Sequence, residues 1–116
     1  MAMIMRKFIV LALLSLLLSA GERSIRILSP NGGEVLARGS QVAVQWRSQG
    51  IEGSLAILLF KGAEQHAVIA ASVPDNGLFQ WTITASLPAD SRYRLRICSL
   101  RDLRLNDFSD RDFTIK

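Results

Sequence analysis

Few side chains in this chain are of types that do chemistry, and their spacing does not gather them into a catalytic set. His66 is the only histidine and Cys98 the only cysteine. A metal site of such residues needs further ligands at matching intervals, and acid–base work needs a partner group beside the imidazole. The sequence around His66 offers neither, so it reads as a surface or edge residue. Serines and aspartates are plentiful, but no Gly-x-Ser-x-Gly elbow presents a nucleophile. Asp102, Asn106, Asp107, Asp110 and Asp112 crowd the C-terminal part, where loop carboxylates could hold calcium through oxygen ligands. Arg101, Arg104 and Arg111 interleave them and the spacing is not that of an EF-hand, so a solvated loop with local ion pairs is expected. Asn31-Gly32-Gly33 could suggest a phosphate cradle, but no helix pattern follows to aim its N-terminus at an anion. The expectation is a chain with no catalytic residue, no cofactor and no metal.

The other informative side chains are aromatic and cationic. Trp46 shares its phase with Val44, and Trp81 shares its phase with Phe79 and Ile83. Aromatics on that apolar phase fill the space between two sheets, so both tryptophans are assigned to the core, not to sugar stacking. Arg92, Arg94 and Arg96 alternate with Tyr93, Leu95 and Ile97, which puts the arginines on an outward row. Cys98 continues that row and is expected outside, as a free thiol or as the bridge of a Cys98-linked dimer; the alternative is a small buried hydrophobe. Leu55, Ile57 and Leu59 take the inward phase of their strand, leaving Ala56, Leu58 and Phe60 to point out.

The elements that position these residues are strands. The chain is organised around Ser29-Pro30-Asn31-Gly32-Gly33-Glu34-Val35, a turn between Ser24–Leu28 and the alternating Gln41–Arg47. Val35–Ala37 is a short continuation. Strands follow at Leu55–Lys61 and His66–Ser72, joined through Gly62-Ala63-Glu64-Gln65. Val73-Pro74-Asp75-Asn76-Gly77 is a strong turn signal before Leu78–Ile83, and Arg92–Ser99 is the next strand. A polar hairpin from Leu100 to Asp107 leads to a last strand with Phe113 and Ile115 inward. Short strands with turns between them and no amphipathic helix predict an all-β sandwich of about seven strands. Tyr93, after Leu87-Pro88, looks like the tyrosine corner of such sandwiches.

The chain has 116 residues, enough for one domain. Residues 1–20 have the form of a signal peptide: Arg6 and Lys7, the apolar run Phe8–Leu18, then Ser19-Ala20-Gly21. Cleavage is expected after Ala20 or Gly21, leaving residues 22–116 as a single β-sandwich domain. An uncleaved anchor is the other reading, but the run is short of the roughly 20 residues that a span needs. Loss of Arg6 and Lys7 lowers the net charge from +4 to +2, so the basic balance of the full chain does not argue for nucleic acid. One cysteine permits no internal disulfide in an oxidising compartment, and the mature part must rest on its apolar core.

A resemblance covers residues 24–116. Ser29-Pro30-Asn31-Gly32-Gly33-Glu34-Val35, Val44-Gln45-Trp46, Ile57–Gly62, Pro74-Asp75-Asn76-Gly77, Trp81-Thr82-Ile83, Leu87-Pro88-Ala89, Tyr93–Ile97, Ser109-Asp110 and Phe113-Thr114-Ile115 carry it. In these residues the chain resembles the yeast cell-wall-synthesis N-terminal-like domain, also described as the Ser-Thr-rich GPI-anchored membrane protein family. The resemblance implies an immunoglobulin- or fibronectin-III-like sandwich, an extracellular or cell-envelope location, and no catalytic residues. Within that fold the Leu55–Lys61 and Arg92–Ser99 strands are neighbours. Leu58 and Phe60 then lie beside Arg92, Arg94 and Arg96, where the family row is typically polar. This is the expected interaction face, for an envelope or extracellular protein first and an anionic glycolipid or polysaccharide second. The expected function is a secreted, non-catalytic module with a structural or protein-binding role. The alternatives are a carbohydrate-binding domain and, last, a small hydrolase or an inhibitor of one.

Overall fold

A computed structural model describes residues 22–116, and the signal-like segment at 1–20 lies outside the described residues. Nine strands form two sheets with no helix among the described residues: β1 (Ser24–Ser29), β2 (Val35–Leu36), β3 (Gln41–Gln49), β4 (Leu55–Lys61), β5 (Glu64–Val73), β6 (Leu78–Thr82), β7 (Asp90–Ser99), β8 (Asn106–Phe108) and β9 (Phe113–Ile115). The smaller sheet has the order β1-β3-β6. The larger has the order β2-β9-β7-β4-β5, and β8 also pairs with β7. The seven expected strands are present, and the count rises through β2 and β8, which are two and three residues long.

Alternation decides which side chains face the gap between the sheets. Ile25 and Ile27, Val44 and Trp46, and Trp81 come from the smaller sheet; Leu55, Ile57 and Leu59, Tyr93, Leu95 and Ile97, and Phe113 and Ile115 come from the larger. All are buried, as period-2 strands with one wet face require. Val42 and Phe79, expected inside, are half-buried and pack at the margin of this core. Tyr93 stacks on Phe113 at 6.2 Å and donates its hydroxyl to Pro88 O at 2.6 Å, the corner expected of it.

The Pro30 stretch is where the chain leaves one sheet for the other, since β1 belongs to the smaller sheet and β2 to the larger. Its turn is held by Glu34, whose carboxylate accepts from Asn31 N–H at 2.8 Å and Gly32 N–H at 2.7 Å. The C-terminal segment is laced to it. The Asn31 side chain accepts from Asp110 N–H and donates to the Asp110 carboxylate. Ser109, only 1% exposed, donates its hydroxyl to Pro30 O and accepts from Leu95 N–H. The crossing is thereby tied to β7 and to the segment before β9.

Three local expectations change. The β4–β5 connection is a two-residue loop, Gly62-Ala63, with Lys61 paired to Glu64. Gly62 takes a positive φ of 60°, so the chain reverses within two residues and β5 begins at Glu64, not His66. The segment expected as a polar hairpin contains β8, registered on Arg96, Ile97 and Cys98. Cys98 is the clearest correction: it keeps the outward phase but is 2% exposed. Ala56 and Asn106 flank it in register, and the turn after Ser99 folds back on that end through Ser99 N–H to Leu105 O. Phase sets direction, whereas exposure depends on what packs outside. A thiol this buried does not reach a second chain, so the Cys98-linked dimer is set aside.

Candidate functional site

The outward side of the larger sheet is built by register. Leu58 on β4 lies directly opposite Arg96 on β7 and Val68 on β5, and Arg96 lies opposite Phe108 on β8. The row Phe108–Arg96–Leu58–Val68 therefore crosses four strands, about 14 Å at the usual inter-strand spacing. One step along, Phe60 lies opposite Arg94 and Gln65. Val68 is 54% exposed and Phe108 38%. Leu58 and Phe60 are half-buried, as are Arg94 and Arg96, while Arg92 is exposed. Phe108 meets Phe60 edge-on, with centroids 5.0 Å apart, and the Arg96 guanidinium lies 5.6 Å from the Phe108 ring centroid. The apolar row and the guanidinium row interlock through an aromatic side chain from β8.

The three arginines differ in their partners. Arg92 donates Nε–H and Nη2–H to Asp90, each at 3.1 Å. That hydrogen-bonded guanidinium holds the Asp90 carboxyl below its ordinary range, and the carboxylate raises Arg92 in turn. Arg94 Nε–H meets Asp112 Oδ1 at 2.8 Å. Arg96 reaches only neutral acceptors, Asn106 Oδ1 at 3.2 Å and Leu103 O at 3.1 Å. Beside Arg94 and Asp112 an open groove of about 420 Å³ runs between Phe60, Phe108 and the Gly62-Ala63 turn.

The remaining candidates resolve into structure. Trp46 and Trp81 are buried, and Trp46 Nε1–H donates to Asp75 in the Pro74–Gly77 turn at 2.9 Å. His66 is exposed on β5, a strand at the edge of its sheet. The C-terminal acidic residues disperse: Asp102 pairs with Arg104, Asp107 accepts from Ile27 N–H, and Asp110 binds Asn31. Among the described residues no group of three His, Cys, Asp or Glu side chains could hold a metal ion. Among those residues, too, no helix is long and apolar enough to cross a membrane.

Sequence reasoning missed Phe108 and Val68. Phe108 closes a strand of three residues, too short for alternation to reveal it. Val68 lies exposed on β5, but its place opposite Leu58 depends on register shifts between β4 and β5 that alternation does not reveal.

Two facing sheets with no helix among the described residues, and a tyrosine corner, make this an immunoglobulin-like domain, a fold not known as a catalytic one. The model of the Kre9/KNH-like N-terminal Ig-like domain family matches residues 29–115, and the chain belongs to that family, which is related to the cell wall. Neither the curated proteins nor the solved structures contain a match to the chain.

Proposed function

We propose that this chain is an exported, non-catalytic module that binds a protein partner at the cell envelope or outside the cell, through Leu58, Phe60, Arg92, Arg94 and Arg96. The observation that carries this reading is the registered row of Phe108, Arg96, Leu58 and Val68, which leaves apolar and guanidinium groups together on one sheet face. Aromatic and arginine side chains are the types enriched where proteins meet. Export rests on the charged, apolar and small-residue blocks of residues 1–20 and on membership of a cell-wall-related family. The groove between Phe60, Phe108 and the Arg94–Asp112 pair favours a second reading, a glycan ring stacked on an aromatic and hydrogen-bonded at its rim.

The test compares the parent with Phe60→Ser and with Arg94→Glu/Arg96→Glu, each shown to be folded, for retention by envelope fractions. Both variants are expected to lose retention. Prior protease treatment of the fraction should abolish parent binding if the partner is protein and spare it if the ligand is glycan. Retention unchanged in both variants would overturn this face as the binding site.

A further inference from the structure

Of the three arginines on the outward row, Arg96 alone has no carboxylate partner among the described residues. Among the described residues Arg92, Arg94, Arg101 and Arg104 each face a carboxylate, and Arg96 faces none. A guanidinium has five N–H donors in a planar fork. Arg96 commits Nε–H to Asn106 and one Nη2–H to Leu103 O. The donors left over lie at its Nη1–Nη2 end, and two parallel N–H groups of this kind match a carboxylate. The group is held in place before any ligand arrives, by two hydrogen bonds and the Phe108 ring, so little freedom remains to be lost on binding. Apolar side chains flank it in register: Phe108 on one side, Leu58 and then Val68 on the other. A partner that covers them would exclude water from the ion pair and strengthen it.

We infer that Arg96 is the recognition point for a carboxylate side chain of the partner protein, in a segment where an Asp or Glu stands between apolar residues. This rests on the protein-binding reading of the face and adds the partner's chemistry to it. Charge complementarity requires the acid. The aliphatic flanks select protein over an anionic polysaccharide: a sugar ring could stack on Phe108, but Leu58 and Val68 offer its hydroxyl groups no partner.

The probe is a phage-displayed library of random peptides, selected on the folded chain. Recovered peptides are expected to carry Asp or Glu between apolar residues. They should lose about tenfold or more in affinity for Arg96→Gln, keep most of it for Arg94→Gln, and weaken when their own acid is changed to the amide. Melting curves must first show both variants folded; Arg96→Lys, which keeps the charge but not the fork, should recover only part of the binding. Peptides without an enriched acid, equal affinity for Arg96→Gln, or no recovered peptides would each overturn the inference. Loss of envelope retention in Phe60→Ser alongside any of those results would leave the protein-binding face standing and remove only the acidic partner.

Discussion

At the scale of single residues, one small polar side chain ties the sheet crossing to the core. Ser109 is buried and bonded on both sides, to Pro30 O and to Leu95 N–H. Ser109→Ala would leave a backbone acceptor and donor without their partner in the interior. A loss of about 1–3 kcal/mol is expected, read as a lower melting temperature or denaturant midpoint. Cys98 supplies the second residue-scale prediction. Buried beside Ala56 and Asn106, its thiol should resist a small alkylating reagent in the native protein and react fully in denaturant. Rapid labelling of the folded chain would contradict the closed end of the sheet. Alternation along Arg92–Cys98 showed which way the thiol points. It could not show that β8 pairs beside it, because that placement is made by backbone pairing of Asn106 with Cys98 and by the bond from Ser99 N–H to Leu105 O.

At the scale of elements, legibility followed the same division. Strands with one wet and one dry face, β3, β4 and β7 above all, were readable from their period; that β4 and β7 are neighbours came from the family resemblance, and the register of Leu58 on Arg96 came from the structure. β8 was not, since its residues bury little and its place comes from pairing with β7. The change of sheet at Pro30 was visible only as a bend; its purpose became clear once β1 and β2 were seen in different sheets. Gly32 shows how tight that passage is. Its φ is +141°, and an added Cβ would stand 2.6 Å from Arg111 Cβ. Gly33, at φ +84°, has nothing within 4 Å of the same position. Alanine at both sites meets backbone strain of about 1–3 kcal/mol, but only at Gly32 does it also push the C-terminal segment away. Gly32→Ala is therefore expected to be the more destabilising in thermal melts.

The tyrosine corner gives the element-scale prediction in pH. Burial raises the Tyr93 phenol above its ordinary value of 10.0. The unfolded chain ionises at the ordinary value while the folded chain still holds its proton. The contribution of Tyr93 is thus complete below pH 10.0 and is lost as pH climbs toward the raised folded value. Tyr93 is the only tyrosine, so the ultraviolet signal of phenolate reports it alone. That signal should appear at higher pH in the native protein than in denaturant. Tyr93→Phe should cost about 1 kcal/mol near neutral pH by losing the bond to Pro88 O, and should flatten the alkaline limb of the stability curve. Coincident native and denatured titrations would mean that the corner is open.

At the scale of the whole molecule, the two outer faces are unlike. The smaller sheet turns Arg26, Gln45, Arg47 and Gln80 to solvent, with Arg26 paired in register to Arg47. The larger sheet turns out Leu58, Phe60 and Val68 among its arginines, with Phe108 beside them. Loss of envelope retention in Arg94→Glu/Arg96→Glu could arise in two ways. A specific face could be destroyed, or a basic molecule could simply be made less basic, since non-specific attraction to an anionic surface depends on net charge. Arg26→Glu/Arg47→Glu separates the two. It changes net charge by the same amount, on exposed residues of the opposite sheet, and leaves the Phe108–Arg96–Leu58–Val68 row untouched. If the larger sheet carries the site, this control keeps parental retention while the Arg94/Arg96 variant loses it. Retention in the parent should then fall only modestly with added salt, because apolar contact shields part of the interaction from screening. Equal losses in the two charge-reversal variants would mean that retention follows the net charge of the molecule and that neither face is a site.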